Sequence, residues 1–188
     1  MNVYHYNLNI PVPFLPKGMD MRGNISGVYK KIFAKNLIND EFLSWLDFLK
    51  LDLEEGRILH MKTNRHSQYP VHVDSPNDSI NRVNINMIYD SVDADMKWYQ
   101  GDKETETFTA NKLVRSYTKY KEIYSVKCNA PALVNTGIPH RVVLSSRQIK
   151  PRHCFILCLI HKGTKERVSF QDAKEILSPF FHNPPTAP

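Results

Sequence analysis

Cysteine is scarce: the 188-residue chain holds three, Cys128, Cys154 and Cys158. An odd number without CxxC spacing excludes a disulfide framework and a zinc knuckle, and predicts free, mostly buried thiols. Long apolar runs are missing too. The longest, residues 154–160, falls far short of the ~20 residues a membrane-spanning helix needs and suits a buried strand. The opening Met1-Asn2-Val3-Tyr4-His5-Tyr6-Asn7 lacks the basic leader and apolar stretch of a secretory signal. A cytoplasmic protein with no membrane partner is therefore expected. No internal repeat is visible.

What remains is ordinary globular composition, 41% hydrophobic and 23% charged, which excludes disordered and collagen-like classes and predicts one domain over residues 1–188. The net charge of +6 lies mainly in the second half and permits an anionic partner. Residues 111–127 interleave basic side chains with Tyr117, Tyr120 and Tyr124, a pattern that could stack bases and neutralise phosphates. Without a recognised nucleic-acid motif beside it, the favoured reading is a solvated face whose tyrosines anchor it to the core.

Residues 1–20 carry Pro11, Pro13 and Pro16 and read as an extended arm or edge strand. Phe42, Leu43, Trp45, Leu46, Leu49 and Leu53 recur at helical spacing after the capping candidates Asn39 and Asp40, which predicts a helix over about 40–55. Beyond Gly56 the signals are those of strands, at 57–62, 71–74, 82–89, 95–99, 104–109, 132–135, 141–145 and 153–160. Many strands with few helices between them point to antiparallel pairing in a sandwich or barrel. A second helix is expected at about 169–178, with Ser169 as its cap, before a proline-rich tail from Asn183 that reads as hanging free. The core thus spans about 57–160, flanked by an arm and helix (1–56) and a helix and tail (161–188).

His72-Val73-Asp74 lies in a predicted strand, where residues i and i+2 share a face and converge on one point. The turn-bounded His140 of Asn135-Thr136-Gly137-Ile138-Pro139-His140 opens another strand and offers a third ligand. Two imidazoles and a carboxylate on one side of a metal form the facial triad of non-haem Fe(II) sites. Arg152 opens the apolar strand, where a core-facing cation needs an anionic partner, and a bound dicarboxylate would be one. Cys154 and Cys158 share its strand parity. Asn84 and Asn86 share a face on their own strand, and buried amides there would find partners in cosubstrate or substrate. Trp98 and Tyr99 alternate, so only one can line a pocket; the Tyr99 hydroxyl could reach a carboxylate.

The order of these segments (the HxD, Arg82-Val83-Asn84-Ile85-Asn86-Met87-Ile88-Tyr89, Met96-Lys97-Trp98-Tyr99, Pro131-Ala132-Leu133-Val134-Asn135-Thr136, the distal His140 and then Arg152) resembles the 2-oxoglutarate/Fe(II)-dependent dioxygenase superfamily. It is most similar to small bacterial and phage oxygenases related to aspartyl/asparaginyl β-hydroxylases. The resemblance implies a mainly β protein, a double-stranded β-helix or jelly-roll barrel with a supporting N-terminal helix. It implies His72, Asp74 and His140 as ligands and catalytic centre for Fe(II), and Arg152 as the grip on 2-oxoglutarate, with Asn86 and Tyr99 as further cosubstrate contacts. The substrate would be a small molecule or peptide. Cys154 stands where a serine is common two residues after the arginine, so another residue must supply that hydrogen bond. Nucleic-acid demethylases of the superfamily carry a second arginine where this chain has Cys158, which counts against a nucleic-acid partner. A cupin-like metal enzyme is disfavoured because its HxH and glutamate are missing. A non-catalytic barrel module binding an anionic partner is the remaining alternative.

Overall fold

The computed structural model describes residues 4–11, 29–33, 38–54, 57–63, 70–74, 83–88, 93–101, 105–109, 112–117, 119–127, 129–147 and 152–182. In chain order the elements are β1 (His5–Asn7), β2 (Tyr29–Phe33), α1 (Asp40–Phe48), β3 (Leu51–Leu53), β4 (Arg57–Thr63), β5 (His72–Val73), β6 (Val83–Ile88) and β7 (Ala94–Gly101). There follow β8 (Thr105–Thr109), β9 (Lys112–Ser116), β10 (Tyr120–Lys127), β11 (Ala132–Asn135), β12 (His140–Leu144), β13 (Arg152–His161), α2 (Phe170–Leu177) and a 3-10 turn, Ser178–Phe180.

The strands form two antiparallel sheets, consistent with a β-sandwich. One has the order β1-β11-β6-β13-β4-β2, with β3 also pairing β13; the other runs β10-β7-β12-β5-β9-β8. The central strands β11, β6 and β13 of the first sheet are buried on both faces, and each face does different work. Phe155, Leu157 and Leu159 of β13, Ile85 and Met87 of β6, and Leu133 of β11 point outward into the main apolar core, where α1 delivers Phe42, Trp45 and Leu46 and α2 delivers Phe170, Ala173 and Leu177. Burying each of the larger side chains contributes about 1.5–3 kcal/mol. The alternate residues face the second sheet, where Ala132 and Val134 meet Met96 and Trp98, and Cys154 and Ile156 meet Val142.

Helix α1 is capped by Asn39, whose side chain accepts from the backbone N–H of Phe42. It is shorter than its apolar spacing suggests. Lys50 adopts φ 55°, a left-handed conformation that ends the helix, and the chain re-enters as β3, whose Leu51 and Leu53 are buried at strand parity beside His161 and Leu159. Leu53 therefore belongs to a strand. Ion pairs Lys162–Asp47, Lys165–Asp52 and Arg167–Glu54 tie this corner to the turn after β13. The Ser169 cap and α2 lie where expected, and β1 is the edge strand that the proline-rich arm implied. Residues 12–28, Cys128 and the tail from Asn183 lie outside the described residues. Among the described residues no helix is long and apolar enough to cross a membrane.

Candidate metal centre and anion cavity

The turn between β11 and β12 is built by its own sequence. The Asn135 side chain accepts the backbone N–H of Gly137 at 3.1 Å, an Asx-type turn, and Pro139 donates nothing, so its carbonyl is left to accept from Tyr99 N–H at 2.8 Å. His140 is thereby delivered as the first residue of β12, Cα partner of both Trp98 on β7 and His72 on β5. Asp74, one residue beyond β5, is tied to the same turn by its backbone N–H to the Thr136 carbonyl, 3.0 Å.

The result is a cluster: His72, Asp74 and His140 each offer a ligand atom, all within 4.8 Å of one another. His72 Nε2 lies 3.5 Å from Asp74 Oδ1. In each histidine the other ring nitrogen meets a backbone carbonyl, His72 Nδ1 with Pro70 at 2.9 Å and His140 Nδ1 with Ile138 at 2.8 Å. Such bonds place the proton on Nδ1 and present Nε2 as the ligand, the arrangement metal-binding histidines favour. Burial, followed by the neighbouring charge of His72, lowers His140 to about 4, so it is neutral and ready to ligate at physiological pH. For His72, burial opposes the charged ring, but the hydrogen bond and charge of Asp74 outweigh it and hold the group above 6.5.

Along the inner face of the first sheet, Arg152, Cys154, Ile156 and Cys158 alternate inward on β13, with Ile88, Asn86 and Asn84 in register beside the last three and Ala132 and Val134 beyond. Asn84 Nδ2 donates to Asp74 Oδ2 at 3.1 Å, which joins this face to the cluster. A small pocket is lined by Arg152, Asn86, His5 and Ile88 from this sheet and by Met96 and Val126 from the other. Arg152 is 0% exposed, and none of its three guanidinium nitrogens has a hydrogen-bond partner among the described residues. The neighbouring Cys154 is no counter-ion: burial pushes its thiol up, with Arg152 working the other way. The Oδ1 atom of Asn86 is likewise buried without a partner among the described residues. Lys127 also borders the cavity, but its ammonium is held by Asp93 and Asp95.

Tyr99 is not brought here, and this corrects the expectation that it contacts the cosubstrate. Met96 and Trp98 take the inner face of β7, so Tyr99 falls on the outer one. There its hydroxyl accepts from Arg141 Nε at 3.0 Å and its ring meets Tyr120 edge-on. Trp98 fills the inward position, donating Nε1–H to the Asn135 carbonyl at 2.9 Å. Of the interleaved tyrosines, Tyr124 turns inward against Tyr4 and Trp98, and Tyr120 is partly exposed. His153 is 7% exposed on the outer face of β13. His5, whose place in the cavity wall the local sequence does not announce, is held by a 2.8 Å hydrogen bond to Asn7 Oδ1; only the alternation of His5 and Asn7 on an edge strand hinted at a shared face. Lys150, a nearby cation that competes with Arg152 for the role of anion grip, and residues 75–81 lie outside the described residues.

No protein-family model matches the chain, and no curated protein matches it.

Proposed function

We propose that the chain is a non-haem Fe(II)- and 2-oxoglutarate-dependent oxygenase that hydroxylates a small molecule or peptide, releasing succinate and carbon dioxide. One observation carries the reading: a two-histidine, one-aspartate cluster and a buried guanidinium with no hydrogen-bond partner among the described residues line the inside of the same sandwich. Each makes sense of the other. The donor set is that of an Fe(II) facial triad. A charge buried without a partner is costly enough that a site holding one is built for a ligand.

For the fold, the reading extends the sandwich to a jelly roll. Within the two sheets, β4-β13-β6-β11 and β5-β12-β7-β10 run in the orders of two interleaved four-stranded Greek keys, and this supports it.

Both residue sets fit the groups they would hold. His72 and His140 through Nε2, and Asp74 through a carboxylate oxygen, would bind the metal. The pocket beside Arg152, walled by Asn86, His5 and Ile88, would receive a small dicarboxylate. Arg152 would meet its far carboxylate with two parallel charge-assisted bonds. Asn86 would assist, since turning its amide over presents N–H to the anion. That contact answers the serine replaced by Cys154. Met96, Trp98, Ala132 and Val134 wall the interior and exclude water. Iron, when bound, would activate molecular oxygen, the oxidant, one atom of which would pass to the substrate and the other to succinate as 2-oxoglutarate is oxidatively decarboxylated; the chain binds, orients and shields these groups.

The test is succinate formation from 2-oxoglutarate in air with Fe(II) and a reductant. Slow turnover without added substrate is expected from the unsubstituted protein and none from His72→Ala. Equal rates in the two would overturn the proposal.

A further inference from the structure

Beyond the ligands themselves, a hydrogen-bond chain runs from the middle of the first sheet to the aspartate. Cys158 and Asn84 are register partners on β13 and β6. The Cys158 thiol donates to Asn84 Oδ1 at 3.5 Å, and Asn84 Nδ2 donates to Asp74 Oδ2 at 3.1 Å. The orientation of the amide follows from chemistry: an ionised carboxylate only accepts, so Asn84 must turn its NH2 towards Asp74 and its oxygen towards the thiol. Asn84 is 8% exposed on a rigid central strand, whereas Asp74 sits beyond a two-residue strand.

From this geometry we infer that Asn84 is a positioning residue for the metal centre: it engages Asp74 Oδ2 and so presents Oδ1, the oxygen nearer His72 Nε2, as a one-oxygen ligand. The inference rests on the metal-centre reading above. An aspartate without this restraint rotates about its last torsion and can offer both oxygens, taking up a coordination position that the facial arrangement leaves open. Partners of this kind, though they never touch the metal, commonly govern affinity by about 10–100-fold.

The experiment compares the unsubstituted protein with Asn84→Leu, which keeps the branching but cannot donate, and with Asn84→Ala should the leucine variant not fold. Mn(II) affinity is measured by electron paramagnetic resonance and coordination by the visible spectrum of the Co(II) form, with circular dichroism reporting the fold. The expected result is a loss of Mn(II) affinity of about 10-fold or more and an altered Co(II) spectrum in a folded variant. Affinity within about twofold of the unsubstituted protein, with an unchanged Co(II) spectrum, overturns the role of Asn84 while leaving the metal centre intact. Failure of the unsubstituted protein to bind either ion overturns both.

Discussion

His72 and His140 are Cα partners across β5 and β12, their ring centroids 4.8 Å apart and their planes at 46°. Two imidazoles meet here because the two strands pair at this residue, and Asp74 reaches the same point because it follows at strand parity. The cluster is thus a product of sheet register, and a slip of one residue in β5 would turn His72 and Asp74 away from His140.

Metal should therefore stabilise the fold as well as complete the site. At about 100 times Kd, Mn(II) or Co(II) is expected to add about 2.7 kcal/mol of stability, seen as a rise in Tm. His72→Ala and His140→Ala should each abolish that rise while keeping the circular dichroism of the native sheets. A metal-dependent rise that survives either substitution would contradict the ligand assignment.

The pH dependence of the two histidines has opposite signs. His140 is held down to about 4 chiefly by burial, so on acidification the unfolded chain takes up a proton that the folded chain refuses. Its contribution is a loss of stability as pH falls from 6.5 towards 4. His72 is held above 6.5, and its contribution is present below that value and lost as pH rises through the folded pKa. Metal must displace the His72 proton, so affinity should rise with pH across that same upper range. His140→Gln should flatten the acid limb of the Tm profile in metal-free protein. An unchanged acid limb would show that His140 is not buried neutral.

On the proposed reading, Arg152, whose guanidinium has no hydrogen-bond partner among the described residues, should cost the ligand-free protein stability and hold the anion of the ligand-bound one. Arg152→Met should leave Tm without cosubstrate unchanged or higher, since a buried charge with no partner among the described residues is replaced by packing. It should also weaken 2-oxoglutarate by about 2–5 kcal/mol, the cost of breaking a buried charge pair. Arg147→Ala, at an exposed turn, should change that affinity less than about threefold. Calorimetric titration of Arg152→Met, Lys150→Ala and Arg147→Ala side by side decides it; a larger loss at Arg147 or Lys150 would reassign the role.

Tyr99→Phe removes the hydroxyl that Arg141 donates to on the face turned away from the cavity. Cosubstrate affinity is expected to stay within about twofold, with a modest drop in Tm from the lost hydrogen bond, about 0.5–1.5 kcal/mol. A loss of 2-oxoglutarate affinity above tenfold would place Tyr99 back at the site.

The strands of the sandwich were legible where burial imposes a pattern. Along β13 the unbroken apolar run reads as a strand buried on both faces, and Ser169 announced α2 by the chemistry of its side chain. Helix α1 was overextended because Leu49 and Leu53 continue the 3.6-residue spacing of Phe42, Trp45 and Leu46, although Leu53 is buried with Leu51 at period two; the left-handed Lys50 separates the readings, and a lysine does not advertise that conformation. β9 and β10 were not resolved as separate strands because β10 is an edge strand whose exposed residues carry little alternation. In the site, HxD periodicity placed His72 and Asp74 together, but parity alone could not say whether Trp98 or Tyr99 faced inward. That depended on which face of β7 met the other sheet.

The most direct measurement is an anaerobic titration of the protein with Fe(II) and then 2-oxoglutarate, followed by visible absorbance. The account predicts a weak charge-transfer band that appears only when both are present. It should be absent in His72→Ala, and in Arg152→Met it should require far more 2-oxoglutarate. No band in the unsubstituted protein at saturating concentrations of both, or an equal band in His72→Ala, would contradict it.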